Sequence, residues 1–545
     1  MTRAQPNPVE PSSSVMSATG GDTAWPCGPR RAFAPAGRGR SPVSRANSIL
    51  STLGISTSLP PTQRFRSAAR RDRVTRPADS TGIYQKAEPM TEFYTEPAKQ
   101  VPIVGSYDVV VAGGGTGGVF AALAAARTGA KTALIEWKGY TGGTAVEGGT
   151  ALHSFFNLYK AFPDAPKKQL IKGIPQELIE RLYAAGGTAG HCEMDQYYDY
   201  DSVCTTIDTE IYKRVSLDML VDSGVTLYLN TMVVDAIRDG DRLTGVIVQS
   251  RSGREVVHSR AFVDATGYGD LSAYAGARFT EPNDYPVVNS MGVGGVSVEK
   301  FRDFLIANGG LGQLAHGRRS GKEGQIIRLG GYGEQFPEAF RTTAKEIGLS
   351  CVTTTLWDDY FMFLKLNLML PVSPTDRDAV TNAEIELRRR MSKGIELLRE
   401  HVPGCENAFI ARTSPQITIR RARCIACDYD ITIDDVLDAH RFDDEVMLYG
   451  FMDLAPRLQV KDGGWYGVPY RALCVSGVDN LYATGMMLTS DHDAHMSTRN
   501  TVSCMGHGQA AGTAAALIAE CKTDSRSLRY DDLRQALLRG GVVLE

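Results

Sequence analysis

Nowhere does this chain run apolar for the ~20 residues that a membrane-spanning helix requires, and with 59 Lys and Arg against 62 Asp and Glu it has no dominant sign of charge. A net charge of −3, with both signs interspersed, gives no footprint for nucleic acid or another polyanion. Ten cysteines in 545 residues lack the regular spacing of a disulfide framework. They read as the reduced thiols of an intracellular protein. Cys424 and Cys427 form the only C-x-x-C; with no second pair to complete a zinc site, it reads as buried or surface thiols, and no metal is expected. An apolar share of 43% is ample for more than one core at this length.

One segment lacks acids. Between positions 30 and 76 there are eleven arginines and a single acid, Asp72, among Ser, Pro, Gly and Ala. So little apolar surface does not offset the entropy of ordering, so residues 1–89 are expected to be a disordered leader, dispensable for activity, with the working chain starting near Met90. The composition also fits an organelle transit peptide, whereas no apolar run follows Arg30-Arg31 or Arg70-Arg71 as an export signal would need. The expected compartment is the cytoplasm.

The ordered part opens on Tyr107, Asp108, Val109, Val110, Val111 and Ala112, a β-branched run of the kind buried on both faces of a parallel sheet. Gly113, Gly115 and Gly118 follow in G-x-G-x-x-G spacing, with Thr116 and Gly117 between them; then comes an Ala-rich helix, and a second strand ends on Glu136. Gly113 permits the turn, Gly115 lets backbone approach a pyrophosphate, and Gly118 lets helix pack on strand. Glu136 is placed to accept hydrogen bonds from ribose hydroxyls. A lone glycine motif is weak; strand, turn, helix and terminal acid in register are specific.

The choice among dinucleotides rests on a second glycine cluster, Thr141, Gly142, Gly143 and Thr144, then Gly148 and Gly149, just past the ribose acid. In flavoproteins such a stretch passes along the isoalloxazine, so FAD is the expected cofactor. Strands are expected over 224–230, 233–237 (with Val233 at the cofactor), 244–249 and 255–263, the last leading to Thr266 and Gly267. A later strand closes on Gly485 and leads to Gly508, Gln509 and Ala510, read as the start of a helix whose N terminus would stabilise negative charge on a reduced flavin. The expected fold is α/β. It comprises a three-layer Rossmann-type FAD-binding domain of the two-dinucleotide-binding-domain class, over 105–150, 205–280 and 466–525, with an inserted α+β substrate domain over 151–204 and 281–465.

From Ser106 to about Glu520 the chain resembles the FAD-dependent oxidoreductase family related to fumarate reductase and succinate dehydrogenase flavoprotein subunits. The resemblance is carried by VVVAGGGTGGVFAALAAARTGAKTALIE, VDATGYGDLSAYAGA, VPGCENAFI, TIRRARCIACDYDIT, VPYRALCVSGVDNLYATG and TRNTVSCMGHGQAAGTAAAL, in that order. Two positions depart from the family: Cys427 stands where Gly is usual, and Met486 follows Gly485 where Arg is common. Loss of that arginine removes one anchor for an anionic substrate, so carboxylate reduction is not carried over.

Hydride transfer at carbon usually needs a group to handle a proton, and histidine titrates near neutrality. His495 and His492 in the D-H-D-x-H run are the candidate bases, with Arg499 holding negative charge; loop hydrogen bonding and metal binding are the competing readings of this run. Arg420, in what reads as a strand (TIRRARCIA), is a substrate contact implied by the family match, and Tyr470 is a candidate roof of the pocket. Tyr197, Tyr198 and Tyr200, interleaved with Asp195, Asp199 and Asp201, suit a polar organic substrate or a solvated loop equally. The expected activity is a dehydrogenase or reductase moving a hydride between flavin N5 and a carbon of a small polar substrate, with an unidentified electron donor or acceptor. A flavin monooxygenase using NAD(P)H ranks second, because the run after Tyr482 is Ala-Thr-Gly-Met-Met and no second nicotinamide fingerprint follows.

Overall fold

A computed structural model describes residues 93–148, 151–159, 162–196, 202–455 and 457–545. The Arg-rich segment and Tyr197, Tyr198 and Tyr200 lie outside the described residues.

The β-branched run becomes a strand, Ile103–Ala112, and the alanines that follow become a helix, Thr116–Arg127. The strand pairs in parallel with Thr132–Glu136 on one side and Gly253–Asp264 on the other. Thr226–Leu229 extends the sheet beyond Thr132–Glu136, also in parallel. Leu481–Ala483 joins it from the far end of the chain, beside the last residues of Gly253–Asp264.

Because side chains alternate across a strand, Val109 and Val111 enter one core and Val110 and Ala112 the other. The first core is roofed by helices Thr116–Arg127 and Thr501–Cys521. In the second, Val233, Leu243, Val246 and Val248 of the hairpin Met232–Asp239 and Arg242–Ser250 pack on the opposite face. The hairpin pairs antiparallel with the first half of Gly253–Asp264, so it continues the same sheet while packing over the face opposite the helices; helices, parallel strands and hairpin make three layers, the Rossmann-type arrangement expected.

The two roofing helices pack at backbone contact. A Cβ on Gly508 would lie 2.3 Å from the Gly117 carbonyl oxygen, and one on Gly512 would lie 2.0 Å from that of Ala121. This corrects the reading of Gly508, Gln509 and Ala510 as a helix start: they are two turns inside a helix that begins at Thr501 and is capped by the Asn500 side chain. The small size of Gly508 and Gly512 answers to helix–helix packing. Gln509 accepts from the Ile174 N–H and donates to the Gly540 carbonyl, tying in neighbouring segments.

Two larger further sheets are antiparallel throughout, unlike the mixed one that holds the parallel strands. Six strands run in the order Val352–Thr354, Lys322–Gly331, Leu311–Arg319, Thr188–Gln196, Val203–Ile207 and Ala151–His153. Four run Leu349–Ser350, Tyr360–Leu368, Val287–Gly294 and Phe409–Thr413. The helix Arg377–His401, capped by Asp376, packs on one face of this four-stranded sheet through Leu387 and Met391 against Met291, Leu364 and Leu366. TIRRARCIA is not a strand: it is irregular apart from a bridge between Thr418 and Val288 and the short strand Cys424–Ile425. Its three arginines are drawn off the β path by side-chain partners on three different segments.

Candidate cofactor site

A cavity of about 460 Å³ opens where the parallel sheet ends, lined by the glycine turn, Glu136, the 266–268 turn, Gly485, Arg499 and residues 416–419. Its floor explains the glycines separately. A Cβ on Gly113, at φ +98°, would lie 2.3 Å from the Ala265 carbonyl oxygen, and one on Gly118 would lie 1.8 Å from that of Gly113. These two are glycine because protein fills the space. Gly115 differs: nothing comes nearer than 3.9 Å to its hypothetical Cβ, and it faces the cavity. The turn is closed below and open above, as a phosphate cradle at a helix N terminus must be.

Glu136 ends its strand buried, accepting from the N–H groups of Gly114 at 2.6 Å and Lys138 at 2.9 Å. Burial pushes its carboxyl upward despite these bonds. Opposite it, fully buried Asp264 accepts from the Thr266 N–H and hydroxyl and from the Ser272 N–H and hydroxyl, all within 3.0 Å, which fixes the turn carrying Thr266 and Gly267. Thr116, Gly117, Gly143, Thr144, Val233, Thr266, Gly267 and Gly485 all line the cavity with Gly113, Gly115 and Glu136. Gly118 and Gly142 do not. Gly118 is the packing glycine, and Gly142, at φ +111°, donates its N–H to the Gly114 carbonyl and so braces the turn from outside.

At the far end the long helix points its N terminus into the cavity through Thr501 and Cys504. Fully buried His507, one further turn along, accepts from the Gly485 N–H at 3.3 Å and meets the Thr498 carbonyl at 3.2 Å, locking the Gly485 turn to the helix. Burial holds its pKa down at about 4, so it stays neutral. Sequence reasoning missed Thr501, Cys504, His507 and Thr418; the register of the helix start was the available signal for the first three, since Asn500 is a good N-cap.

Arg499 lines the cavity, donates to Asp453 Oδ2 at 2.7 Å and lies 5.6 Å from the Tyr285 ring centre, within cation–π range. Three buried donor groups on the lining have no partner among the described residues: Arg499 Nε, Arg423 Nε and the Thr418 hydroxyl.

His495 and His492 are not on the lining. His495 is fully buried, with Nε2 at 3.0 Å from the Arg420 carbonyl and Nδ1 at 3.4 Å from the Ser490 hydroxyl, and burial pushes its pKa well down. His492 is exposed, bonded to Asp284 at 2.8 Å and stacked on Tyr285 at 4.9 Å. Tyr470 does not roof the cavity: it is buried, bonded to the Tyr482 hydroxyl and the Ser525 carbonyl, both at 2.7 Å. An aromatic with both hydroxyl partners internal has become core. Arg421 pairs with Asp284 and Arg423 with Asp270, each at 2.7 Å, while Arg420 reaches the Asn367 amide oxygen at 3.5 Å. Cys424 and Cys427 are buried free thiols whose pKa values burial raises.

Such a floor, with a buried acid at the end of the second strand and an open glycine turn at a helix N terminus, has the form of a dinucleotide-binding fold. Residues 108–537 match the FAD dependent oxidoreductase family, and the chain belongs to it. It is similar to digeranylgeranylglycerophospholipid reductase of Methanocaldococcus jannaschii, 28% identical over 173 residues, covering 32% of this chain and 41% of that protein. A shorter likeness, 54% identical over 48 residues, is to dihydrolipoyl dehydrogenase of Trypanosoma brucei brucei, covering 9% and 10% of the two chains. The chain thus spans less than half the length of these relatives. Among solved structures, a geranylgeranyl bacteriochlorophyll reductase-like protein of Thermoplasma acidophilum superposes with TM-score 0.42 at 13% identity, covering 80% of this chain and 86% of that one. Among the described residues no helix is long and apolar enough to cross a membrane.

Proposed function

We propose that this protein is an FAD-dependent dehydrogenase or reductase that exchanges a hydride with a carbon of a small polar organic substrate, using a separate electron donor or acceptor. The observation that carries the reading is the single cavity in which the glycine turn and Glu136 meet Arg499, Thr418 and the N terminus of Thr501–Cys521. Gly113, Gly115, Thr116 and Gly117 would hold the FAD pyrophosphate, Glu136 its ribose, and Gly143, Thr144, Val233, Thr266, Gly267 and Gly485 the remainder. Bound there, FAD supplies two-electron hydride chemistry.

The protein's own contribution is electrostatic and positional. Arg499 and the helix N terminus place positive potential where negative charge grows. His495 acts as a positioning residue, because its ring holds the Arg420 carbonyl and no free ring nitrogen remains for a proton on substrate. Residues 105–150, 205–280 and 466–525 form the cofactor part in this proposal, and 151–204 with 281–465 the substrate part. The order of the shared motifs supports a relation to fumarate reductase and succinate dehydrogenase flavoprotein subunits.

The test is an anaerobic titration of the purified full chain with hydroxy acids, polyols, sugars and unsaturated carboxylates, following flavin absorbance. One FAD per chain and reversible bleaching by a member of the panel, or reoxidation of the dithionite-reduced protein by one, is the expected result. Rapid reduction by NADPH alone would move the assignment to a monooxygenase.

A further inference from the structure

Between the strand Tyr360–Leu368 and the helix Arg377–His401 runs an irregular strap, residues 369–376, with prolines at 371 and 374. Leu370 roots it in the core beneath that helix. Beyond Leu370 the strap is one chain thick. Pro371 and Val372 are exposed, whereas Pro374 is buried and, with Thr375, lines the cavity. Among the described residues no backbone-to-backbone hydrogen bond joins 369–375 to another segment, and the two prolines have no N–H to give one. Another wall of the cavity, 416–419, is held differently: Thr418 exchanges backbone bonds of 2.6 and 2.9 Å with Val288.

Side chains hold the strap instead. The Ser373 hydroxyl donates to Glu281 Oε1 at 2.9 Å, the Thr375 hydroxyl donates to the same oxygen, and the two hydroxyls lie 3.0 Å apart. The Asn283 amide donates to the Leu370 carbonyl at 3.2 Å. The segment carrying Glu281 and Asn283 is itself fixed, since Asp284 pairs with Arg421 at 2.7 Å and the Tyr285 hydroxyl donates to the His492 carbonyl at 2.6 Å. An exposed carboxylate on a fixed post thus closes a wall that has no ladder of its own.

A segment tied by a few side-chain bonds opens at lower cost than one tied by a backbone ladder. We propose that residues 371–376 are a gate through which FAD enters and leaves the cavity, and that Glu281 is its latch, a positioning residue that acts through Ser373 and Thr375. The proposal rests on the oxidoreductase reading in taking FAD as the occupant. Because the latch lies outside the cavity and closes the strap whether or not the cavity is filled, it sets the rates of entry and exit together and leaves the affinity nearly unchanged.

The experiment strips the full chain of FAD, reloads it, and follows uptake and release by flavin fluorescence in the parent, Glu281→Ala, Glu281→Gln and Ser373→Ala. Glu281→Ala is expected to speed both rates about tenfold, with the dissociation constant changed by less than about threefold and the FAD-free melting temperature by a degree or two. Glu281→Gln keeps the accepting oxygen and should stay closer to the parent. Ser373→Ala should also speed both rates, yet add little on top of Glu281→Ala, where its partner is already gone. Hydrogen exchange over 369–376 should quicken in FAD-free Glu281→Ala while that over 113–118 does not. Faster release with unchanged uptake would make the strap a wall that grips FAD, and would overturn the gate; so would unchanged exchange. A parent chain that takes up no FAD sinks the oxidoreductase reading and the gate with it, whereas an FAD-loaded parent matched by Glu281→Ala in both rates sinks the gate alone.

Discussion

Two glycines of one turn have opposite reasons for being glycine, and a single added methyl distinguishes them. At Gly118 a Cβ meets the Gly113 carbonyl at 1.8 Å, so Gly118→Ala must move helix against strand and should destabilise the protein by about 1–3 kcal/mol, as overpacking does. At Gly115 the nearest atom is 3.9 Å away, so Gly115→Ala should leave the FAD-free melting temperature within a degree or two while lowering FAD retention through gel filtration. Equal thermal losses in the two variants would contradict the division of labour. His495 gives a second residue-scale test. His495→Asn retains a donor toward the Arg420 carbonyl and should keep flavin reduction within about tenfold of the parent, whereas loss of a general base costs roughly 10²–10⁴-fold. A pre-steady-state rate lower by a hundredfold or more in a fully flavinated His495→Asn would restore the base role.

At the scale of elements, the parallel βαβ unit was legible because its signals are local: a β-branched run, glycines at fixed spacing, an alanine-rich helix and a terminal acid lie within about thirty residues. Legibility failed where a partner distant in sequence decides. The alanine and glycine stretch at 508–512 looks the same whether it starts a helix or presses one helix on another, and only the contact of Gly512 with Ala121 distinguishes these. TIRRARCIA has strand-like alternation, yet Asp284 and Asp270, more than a hundred residues away, pull Arg421 and Arg423 out of it. Tyr470 was misjudged for the same reason, its hydroxyl being claimed by Ser525. The helix contact makes its own prediction: Gly512→Val should cost stability by about 3 kcal/mol or more, since backbone rather than a flexible side chain stands 2.0 Å away, and should reduce FAD affinity by shifting Thr501 and Arg499. Urea denaturation with and without FAD would measure both effects, and a variant as stable as the parent would show that the helices are not in backbone contact.

For the molecule as a whole, buried and part-buried neutral histidines set a direction for pH. Burial holds His191 and His507 at about 4 and His495 well below its ordinary value of 6.5. Below pH 6.5 the unfolded chain takes up protons that the folded chain refuses, so stability falls as pH drops, by about 1.4 kcal/mol per pH unit for each of His191 and His507 until about pH 4, with His495 acting in the same direction. Urea midpoints at pH 7, 6 and 5 should decline, and His507→Gln should decline less steeply than the parent. Identical slopes would show that His507 titrates in the folded state.

The strand Gly253–Asp264 has one further consequence, in the order of events during synthesis. It joins Ile103–Ala112 to Leu481–Ala483, made hundreds of residues later, and the cavity above it is not enclosed until Arg499, Thr501 and Cys504 exist. Closing contacts across so many residues is slow and cannot begin before its last participant has left the ribosome. A nascent chain has the glycine turn hundreds of residues before it has a site. Flavin capture then waits on the helix Thr501–Cys521, which brings the last of the cavity lining to the glycine turn.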